Sequence, residues 1–474
     1  MTLTAFKSSI KTAAQDGSLQ AGVIGDGVMI PGLDGDVPLV YADYVASGRA
    51  LRQVEDFVTT QVLPFYANSH TEASYCGSYV TRMRREARSE IARVVGATQD
   101  DAVIFTGSGA TAGLNRLVSL MGIEEADQPV VFIGPYEHHS NILPWRESKA
   151  KVVEIPEAAE GGVDMDALHQ ALKEHANSDL KIGSFSAASN VTGIITDPDP
   201  ICRLLHAHDA LAIWDYAGAG PYLSIDMGAN GAERKDAVVV SPHKFPGGPG
   251  STGVLIVNKS VVRRNCPSWP GGGTVSFVSP WSHEYSEDLA AREEAGTPNV
   301  VGDIRAALVF LVKEAVGQAE IEAKEEHFAA MARTGWADNP NLTLLGHETA
   351  SRLPIFSFLV TGNSGAPVHQ QLFTRMLSDI YGIQARGGCA CAGPYAHRLL
   401  DIDHQASDEL FADLKAGKEM RKPGWVRLNF SYLMSDETAQ YIIDSVNELS
   451  ANAEELASRY CVDQSTARFK AQAA

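Results

Sequence analysis

Residues 236–244, DAVVVSPHK, place a lysine shortly after a run of four apolar residues. The run Ala237–Val240 is short and rich in β-branched residues, which is typical of a strand buried in a sheet. Four glycines follow within FPGGPGSTG (245–253). Lys244 could simply point its ammonium group to solvent or pair with a carboxylate. Alternatively, an amine at the carboxyl edge of a sheet, where open α/β folds bind ligands, could form a Schiff base with an aldehyde cofactor.

Similar apolar runs recur on both sides of this stretch and alternate with amphipathic segments. Each run is rich in Val or Ile and is bounded by Gly, Pro, Asp or Ser, so the pattern predicts strand–helix units around a mostly parallel sheet. The predicted strands are DAVIF (101–105), PVVFIG (129–134), KVVEI (151–155), LKIGSFS (180–186), ALAIWD (210–215), DAVVVS (236–241) and GVLIVN (253–258). The sequence therefore predicts an α/β fold.

A different pattern begins after EAGTPN (294–299). It consists of a long amphipathic helix, GDIRAALVFLVKEAV (302–316), strand-like LPIFSFLVTG (353–362) and a closing helix from about Ser435. These elements predict a smaller α+β domain, whereas the last dozen residues are expected to form a frayed tail. We therefore predict a large cofactor-binding domain over 40–300 and a small domain made of 1–39 and 301–474.

Composition narrows the classes of function. The chain has 474 residues and a formal net charge of −19 at pH 7, which opposes nucleic-acid binding because such partners need a clustered basic surface. No apolar run reaches the length of a membrane span, so a soluble, cytoplasmic protein is expected. Six cysteines are too few for a disulfide scaffold, and no fourth ligand accompanies Cys389, Cys391 and His397, so we predict no metal site.

An aldehyde cofactor such as pyridoxal phosphate would need further partners. Its ring nitrogen needs a buried carboxylate, and Asp215 ends an apolar strand, although an aspartate there could equally be a helix cap or turn residue. Its phosphate needs backbone N–H groups at a helix start, which the strand–turn–helix stretch IFTGSGATAGLN (104–115) could supply. The same stretch fits the dinucleotide pattern G-x-G-x-x-A, but the acidic residues that follow precede the next strand instead of ending it.

Two loops supply other candidates for this cofactor. PYEHHSNILPW (135–145) offers His138, whose imidazole could stack on a cofactor ring, and SAASNVTG (186–193) offers Asn190. A histidine pair in a loop is otherwise ordinary polar surface.

Taken together, the chain resembles the class V aminotransferase family of fold-type I pyridoxal phosphate enzymes, and within it the cysteine desulfurase and selenocysteine lyase branch. The resemblance covers nearly the whole chain. It rests on YADYVASG (41–48), GATAGLN (109–115), EHHSNILPW (137–145), SNVTG (189–193), WDYAG (214–218), SPHK (241–244), EAGTPN (294–299), ARGGCAC (385–391) and WVRLNFS (425–431).

The resemblance implies a role for each matching residue. It makes Lys244 the Schiff-base lysine, Asp215 the partner of the ring nitrogen, His138 the stacking residue and Cys391 the nucleophile that takes sulfur from L-cysteine and releases L-alanine. The implied cofactor contacts also include Asn190, Ser108, Gly109, Ala110, Thr111, Ser241 and His243. The implied substrate contacts are Arg427, Arg386, His70 and Ser47. Thr297, in the GTPN motif, implies a homodimer in which each subunit reaches the other's phosphate.

The sequence also departs from the family pattern. Gly218 replaces a glutamine that is common in the desulfurases, Ala110 replaces a hydroxyl residue, and Cys389 is an additional thiol that could accept the sulfur. A carbon–sulfur β-lyase, an epimerase or an aminotransferase would use the same cofactor site, and a non-catalytic scaffold is a further alternative. A sulfur-acceptor protein is a possible partner.

Overall fold

The computed structural model describes residues 3–69, 71–228 and 231–472. Its helices are α1 (Leu3–Gln15), α2 (Ser18–Ala21), α3 (Arg52–Phe57), α4 (Tyr75–Val94), α5 (Gly109–Leu120), α6 (Leu143–Arg146), α7 (Met165–Glu174), α8 (Pro198–Ala207), α9 (Leu289–Glu293), α10 (Val300–Val316), α11 (Gln318–Trp336), α12 (Gln370–Tyr381), α13 (Gly393–Leu399), α14 (His404–Lys415) and α15 (Asp436–Ala457). Short 3₁₀ or π turns cover Val58–Val62, Leu63–Phe65, His139–Asn141, Pro242–Lys244, Lys259–Val261 and Glu419–Arg421.

The strands are β1 (Met29–Pro31), β2 (Asp36–Pro38), β3 (Val40–Tyr41), β4 (Asp101–Gly107), β5 (Pro129–Ile133), β6 (Lys151–Glu154), β7 (Leu180–Ser186), β8 (Leu211–Asp215), β9 (Ala237–Val240), β10 (Gly253–Asn258), β11 (Val275–Val278), β12 (His283–Tyr285), β13 (Leu342–Leu344), β14 (Ile355–Thr361), β15 (Pro367–Val368), β16 (Ile383–Gln384), β17 (Arg386–Gly388), β18 (Trp425–Asn429), β19 (Tyr460–Asp463) and β20 (Arg468–Ala471).

The chain divides into two compact units. Unit 1 comprises Met1–Ile24, Ala46–Ala188 and Thr196–Glu320, and unit 2 comprises Gly25–Val45, Ser189–Ile195 and Ile321–Ala474. In this division residues 1–24 and helix α10 belong to unit 1, not to the small domain, whereas residues 25–39 of the predicted N-terminal segment belong to unit 2. Helix α1 buries Leu3, Phe6 and Ile10 and packs on α10, which is buried on nearly all sides. A helix that is apolar all round is better suited to a large core than to an exposed domain surface.

Unit 1 is built on a sheet of seven strands in the described part of the chain, in the order β4-β10-β9-β8-β7-β5-β6. The strands of this sheet run parallel except β10, which is antiparallel to both β4 and β9. Strands β5, β7, β9 and β10 are buried along their whole length, as continuous apolar runs predict. The predicted mostly parallel α/β sheet is confirmed, and each of the seven predicted runs forms a strand of it.

Unit 2 contains an antiparallel sheet in the order β13-β14-β18-β17, with β15 beside β14. Its core is rich in aromatic side chains, including Trp336, Phe356, Phe358 and Phe430. The predicted closing helix is α15, which Ser435 caps by accepting a hydrogen bond from the Thr438 amide.

The expectation of a frayed C-terminal tail is wrong for the described residues. Strands β19 and β20 pair as an antiparallel hairpin, and Phe469 packs against the core of unit 2. Among the described residues, no helix is both long and apolar enough to span a bilayer.

Candidate active site

The sheet of unit 1 gathers the predicted cofactor residues at one edge. Strands β4, β5, β8 and β9 run in the same direction, so their carboxyl ends lie along the same edge of the sheet. The residues that follow these ends are the turn into α5, the EHH segment, Asp215 itself and the SPHK segment. The topology therefore explains why motifs far apart in sequence meet.

Lys244 and Asp215 form the centre of this edge. Lys244 ends the 3₁₀ turn Pro242–Lys244 and is half-buried. Asp215 is only 4% exposed and accepts a hydrogen bond from the Ala217 amide at 2.7 Å. Burial raises the pKa of Asp215, and the Ala217 hydrogen bond and the positive charge of Lys244 both oppose that rise. The amine and the carboxylate are thus close enough to interact, as one cofactor held by both would require.

The turn before α5 approaches the SPHK segment closely. Ser241 Oγ accepts a hydrogen bond from the Ala110 amide at 2.9 Å. Gly109 has φ +61°, and a Cβ there would lie 2.8 Å from Ser241 Oγ and 3.1 Å from His243 Cε1. Burial, followed by the charge of Lys244, lowers the pKa of His243 to about 4, so its imidazole is neutral at pH 7. The amides at the start of α5, together with the adjacent serine and neutral histidine, form a set of polar groups suited to a phosphate.

Thr111 and His138 are linked through Ser140, which the sequence analysis did not single out. Thr111 is exposed, and its Oγ1 lies 2.7 Å from Ser140 Oγ. His138 Nδ1 accepts from the Ser140 amide at 3.1 Å and so caps the turn His139–Asn141. Ser140 therefore connects His138 to Thr111 in the first turn of α5. Ser108 is exposed just before that helix.

Glu137 is a second residue that sequence reasoning missed. It is 3% exposed and accepts hydrogen bonds from the Ser186 amide at 2.9 Å, from Ser186 Oγ at 2.6 Å and from Asn141 Nδ2. Burial raises the pKa of Glu137 to about 7, and the charge of Asp215 adds to the rise. Ser186 pairs with Asp215 across β7 and β8. The sequence signal for Glu137 was its position directly before His138, which had already been singled out in the EHH segment.

Unit 2 brings together the two predicted substrate arginines. Arg386 and Arg427 face each other across β17 and β18. Asp43 joins them, because its Oδ2 accepts from Arg386 Nε at 2.9 Å and its Oδ1 accepts from Arg427 Nη2 at 2.7 Å. Arg427 is 3% exposed, so burial lowers its pKa while Asp43 opposes that shift. Asp43 lies inside the YADYVASG motif, which was the sequence signal for it.

Asn190 and the cysteine motif also lie in unit 2. Asn190 Nδ2 donates to the carbonyl oxygen of Ala390 at 2.9 Å, and Arg427 Nη1 donates to the Asn190 carbonyl oxygen at 2.9 Å. Asn190 Oδ1 is buried without a hydrogen-bond partner among the described residues. Cys391 is exposed, Cys389 is half-buried, and both are free thiols. The predicted nucleophile is therefore accessible.

The remaining predicted residues are placed as follows. Ser47 is half-buried, and the Gly48 amide beside it donates to the His243 carbonyl oxygen at 2.9 Å. Thr297 is exposed two residues before Asn299, the N-cap of α10. His70 lies outside the described residues. Within the described ranges, no group of three or more His, Cys, Asp or Glu side chains is arranged to hold a metal ion.

Comparison with known proteins shows which family the chain belongs to. The sequence model of the family "Aminotransferase class-V" matches residues 40–435, which is most of the chain. The chain belongs to this family. It is 29% identical over 386 residues to a "Probable cysteine desulfurase" of Halalkalibacterium halodurans, covering 79% of this chain and 89% of that protein. It is 28% identical over 364 residues to a "Probable cysteine desulfurase" of Vibrio cholerae, covering 75% and 85% of the two chains.

Solved structures share the fold of this class-V chain. The apo cysteine desulfurase of Thermococcus onnurineus NA1 matches with a TM-score of 0.73 at 23% identity, covering 87% of this chain and 94% of the other. The S-sulfonic acid form of an Escherichia coli cysteine desulfurase matches with a TM-score of 0.69 at 22% identity, covering 88% and 94%. The predicted family and the predicted fold are both confirmed.

Proposed function

We propose that this protein is a pyridoxal phosphate-dependent cysteine desulfurase, which takes sulfur from L-cysteine as an enzyme persulfide and releases L-alanine. The observation that carries the proposal is the pairing of a buried carboxylate, Asp215, with a nearby lysine, Lys244, whose charge acts on the pKa of that carboxylate. Both residues lie at the sheet edge that also carries the turn at Gly109. The names of the two relatives support the choice of substrate.

The donor set at this edge fits the cofactor. Lys244 Nζ would hold its aldehyde group, Asp215 would keep its ring nitrogen protonated, and His138 would cover its face. Its phosphate would be held by Ser108, Gly109, Ala110, Thr111, Ser241 and His243. The tight approach at Gly109 supports this assignment, because a Cβ would fill the space beside Ser241 and His243. When bound, pyridoxal phosphate acts as an electron sink that stabilises negative charge at the α-carbon of an amino acid.

Lys244 also has a role in proton transfer in this proposal. Its Nζ would take the α-proton of cysteine. The amine must be uncharged to do so. The neutral state of His243, next to Lys244, adds no further positive charge to the site at pH 7.

Arg386 and Arg427 would bind the carboxylate of cysteine. A guanidinium group offers two parallel N–H donors, which matches the geometry of a carboxylate. Arg427 Nε is buried without a hydrogen-bond partner in the described part of the chain, so this guanidinium retains a donor beyond its bonds to Asp43 and Asn190. We assign Ser47 and His70 to the same substrate on their motif positions alone.

Cys391 would carry out the sulfur transfer. Its thiolate attacks the sulfur of cysteine, an S–S bond forms, and the C–S bond breaks with its electron pair remaining on the carbon fragment. Protonation of that carbon gives alanine, so the step needs no outside oxidant. Cys389 or a sulfur-acceptor protein could then receive the sulfur. Thr297 would complete the phosphate site of a second subunit, which makes the active form a homodimer.

The test compares Cys391→Ser with Cys461→Ser, which alters another exposed thiol. Incubation with cysteine should give alanine and a persulfide in the wild type and in Cys461→Ser, but neither product in Cys391→Ser. Pyruvate with undiminished sulfide release from Cys391→Ser would instead identify a β-lyase, which needs no protein thiol. Alanine is scored against pyruvate, and the persulfide is read by peptide mass spectrometry.

A further inference from the structure

The turn that carries Cys391 has an unusual backbone. The Ala392 amide donates to the Cys389 carbonyl oxygen at 3.1 Å, which closes a four-residue turn. Its two central residues both have positive φ, +52° at Ala390 and +57° at Cys391. This is the pattern of the mirror-image type I′ turn, which Gly, Asn and Asp dominate because a larger side chain disfavours the left-handed region. Alanine and cysteine therefore need outside support to stay in it.

Asn190 supplies a contact at the centre of this turn. Its Nδ2 donates to the carbonyl oxygen of Ala390 at 2.9 Å. That carbonyl belongs to the peptide group that joins Ala390 to Cys391, so the hydrogen bond fixes the plane between the two left-handed residues. Rotation of this peptide toward the ordinary right-handed region would move the oxygen away from the amide. The bond therefore favours the strained form over relaxed alternatives.

Asn190 is itself held in place. It is 9% exposed, and its carbonyl oxygen accepts from Arg427 Nη1 at 2.9 Å. Arg427 is anchored by Asp43, which also binds Arg386 at the start of β17, the strand that leads into the cysteine turn. The turn is thus connected to one polar network both at its centre and through the strand before it. The hydrogen bonds of this network restrict movement of Asn190 and of the turn.

We propose that Asn190 is a positioning residue for the thiol, because its bond to Ala390 holds the Cys389–Ala392 turn in its left-handed form and so directs the side chain of Cys391. The use of this thiol as a nucleophile rests on the proposed function. The claim that Asn190 holds the turn does not rest on the proposed function, because it depends only on contacts within unit 2. This role is distinct from the contact to the cofactor that sequence resemblance implies for Asn190.

The first experiment measures hydrogen exchange at the Ala392 amide in the reduced full-length protein. Losing the bond from Asn190 should make this exchange roughly two- to tenfold faster in Asn190→Ala, the range expected for one neutral hydrogen bond. Asn341→Ala is the matched control, because Asn341 is buried in the same unit and donates to the Thr361 carbonyl oxygen at 2.8 Å. In Asn341→Ala, the exchange rate of the Ala392 amide should equal that of the wild type. Equal exchange in Asn190→Ala would overturn the proposal.

Two further variants guard against a merely structural effect. Asn190→Asp retains the shape of the side chain but cannot donate to Ala390, so it should also accelerate exchange. Adding Ala390→Gly to Asn190→Ala should slow the exchange again, because glycine reaches positive φ without a Cβ penalty. A double variant that exchanges as fast as Asn190→Ala would mean that strain at Ala390 is not what Asn190 offsets, and the proposal would fail.

Thiol labelling tests the consequence for Cys391. Limited iodoacetamide treatment is followed by mass spectrometry, with the exposed Cys461 as the internal reference. The ratio of labelling at Cys391 to that at Cys461 should change by at least twofold, roughly as the exchange does, in Asn190→Ala and return toward the wild-type ratio in the double variant. An unchanged ratio would show that Asn190 does not position the thiol. Neither experiment uses cysteine turnover, so a failed desulfurase assignment cannot imitate a failure here.

Discussion

Replacing Glu137 by glutamine should alter how the stability of this protein depends on pH. Glu137 is buried among Ser186 and Asn141, beside the strand end that carries Asp215. Its pKa is raised from 4.5 to about 7, because burial penalises the charged form and Asp215 adds negative charge nearby. Glutamine occupies nearly the same volume but does not titrate. The substitution therefore removes the pH-dependent contribution of Glu137 to the free energy of unfolding and adds a change in hydrogen bonding that does not vary with pH.

The expected size follows from the pKa. Raising it from 4.5 to about 7 corresponds to about 3 kcal/mol, since each tenfold change in proton affinity is worth about 1.36 kcal/mol. The folded state holds the proton more tightly than the unfolded state, so Glu137 stabilises the fold fully below pH 4.5 and loses that contribution as the pH rises through 7. About 2.5 kcal/mol of the loss falls between about pH 5 and about pH 8.

Urea unfolding at those two pH values measures the effect, with the buried Trp145 and Trp214 of unit 1 as fluorescent reporters. Relative to Glu137→Gln, the wild type should lose about 2.5 kcal/mol of unfolding free energy from about pH 5 to about pH 8. Ser184→Ala is the control, because it removes a hydrogen bond to Asn141 in the same network without removing a titrating group. It should shift stability equally at both pH values. Parallel pH profiles of the wild type and Glu137→Gln would refute the raised pKa.

Other substitutions test the two units separately. Asp43→Ala leaves the buried guanidinium of Arg427 without its carboxylate and should cost about 3–5 kcal/mol of unfolding free energy. Asp34→Ala breaks the exposed pair with Arg459 and should move the urea midpoint far less. Equal shifts of the midpoint in the two variants would contradict the importance of the buried pair. Gly109→Ala should weaken pyridoxal phosphate binding about tenfold or more, because the added Cβ would meet Ser241. Gly107→Ala is the control and should not weaken binding, because Gly107 also has positive φ (+90°) but a Cβ there has nothing within 4 Å. A spectral titration with pyridoxal phosphate measures the affinity of each variant.

Local patterns in the sequence predicted the large sheet well. Continuous apolar runs such as Pro129–Ile133 and Gly253–Asn258 are strands buried on both faces, and each is bounded by residues that break a strand. The direction of the parallel strands then requires the residues after β4, β5, β8 and β9 to lie at one edge. Lys244, Asp215 and the turn at Gly109 could therefore be predicted as neighbours from the sequence.

Features that depend on partners distant in sequence could not be predicted in this way. The N-terminal helix α1 joins unit 1 because its apolar face packs on α10, more than 280 residues later. Asp43 joins Arg386 and Arg427 across more than 340 residues. The bond from Asn190 to Ala390 spans 200 residues. No periodicity in the sequence encodes such contacts, because they arise only when the sheets have formed.

The C-terminal hairpin shows a different kind of failure. Strands β19 and β20 are short and polar on one side, so a local pattern gave little sign of them. Their pairing brings Phe469 against the core of unit 2, and this burial distinguishes the segment from a solvated tail.

The most direct test of the account is covalent capture at Lys244. The full-length chain is incubated with pyridoxal phosphate, reduced with borohydride and digested, and the modified lysine is located by peptide mass spectrometry. We predict that the added mass lies on Lys244. Lys244→Ala should lose both this label and the visible absorption that is recorded before reduction. Lys259→Ala, which removes an exposed lysine of the same unit, should retain both. Label on another lysine, or equal label in Lys244→Ala, would contradict the account.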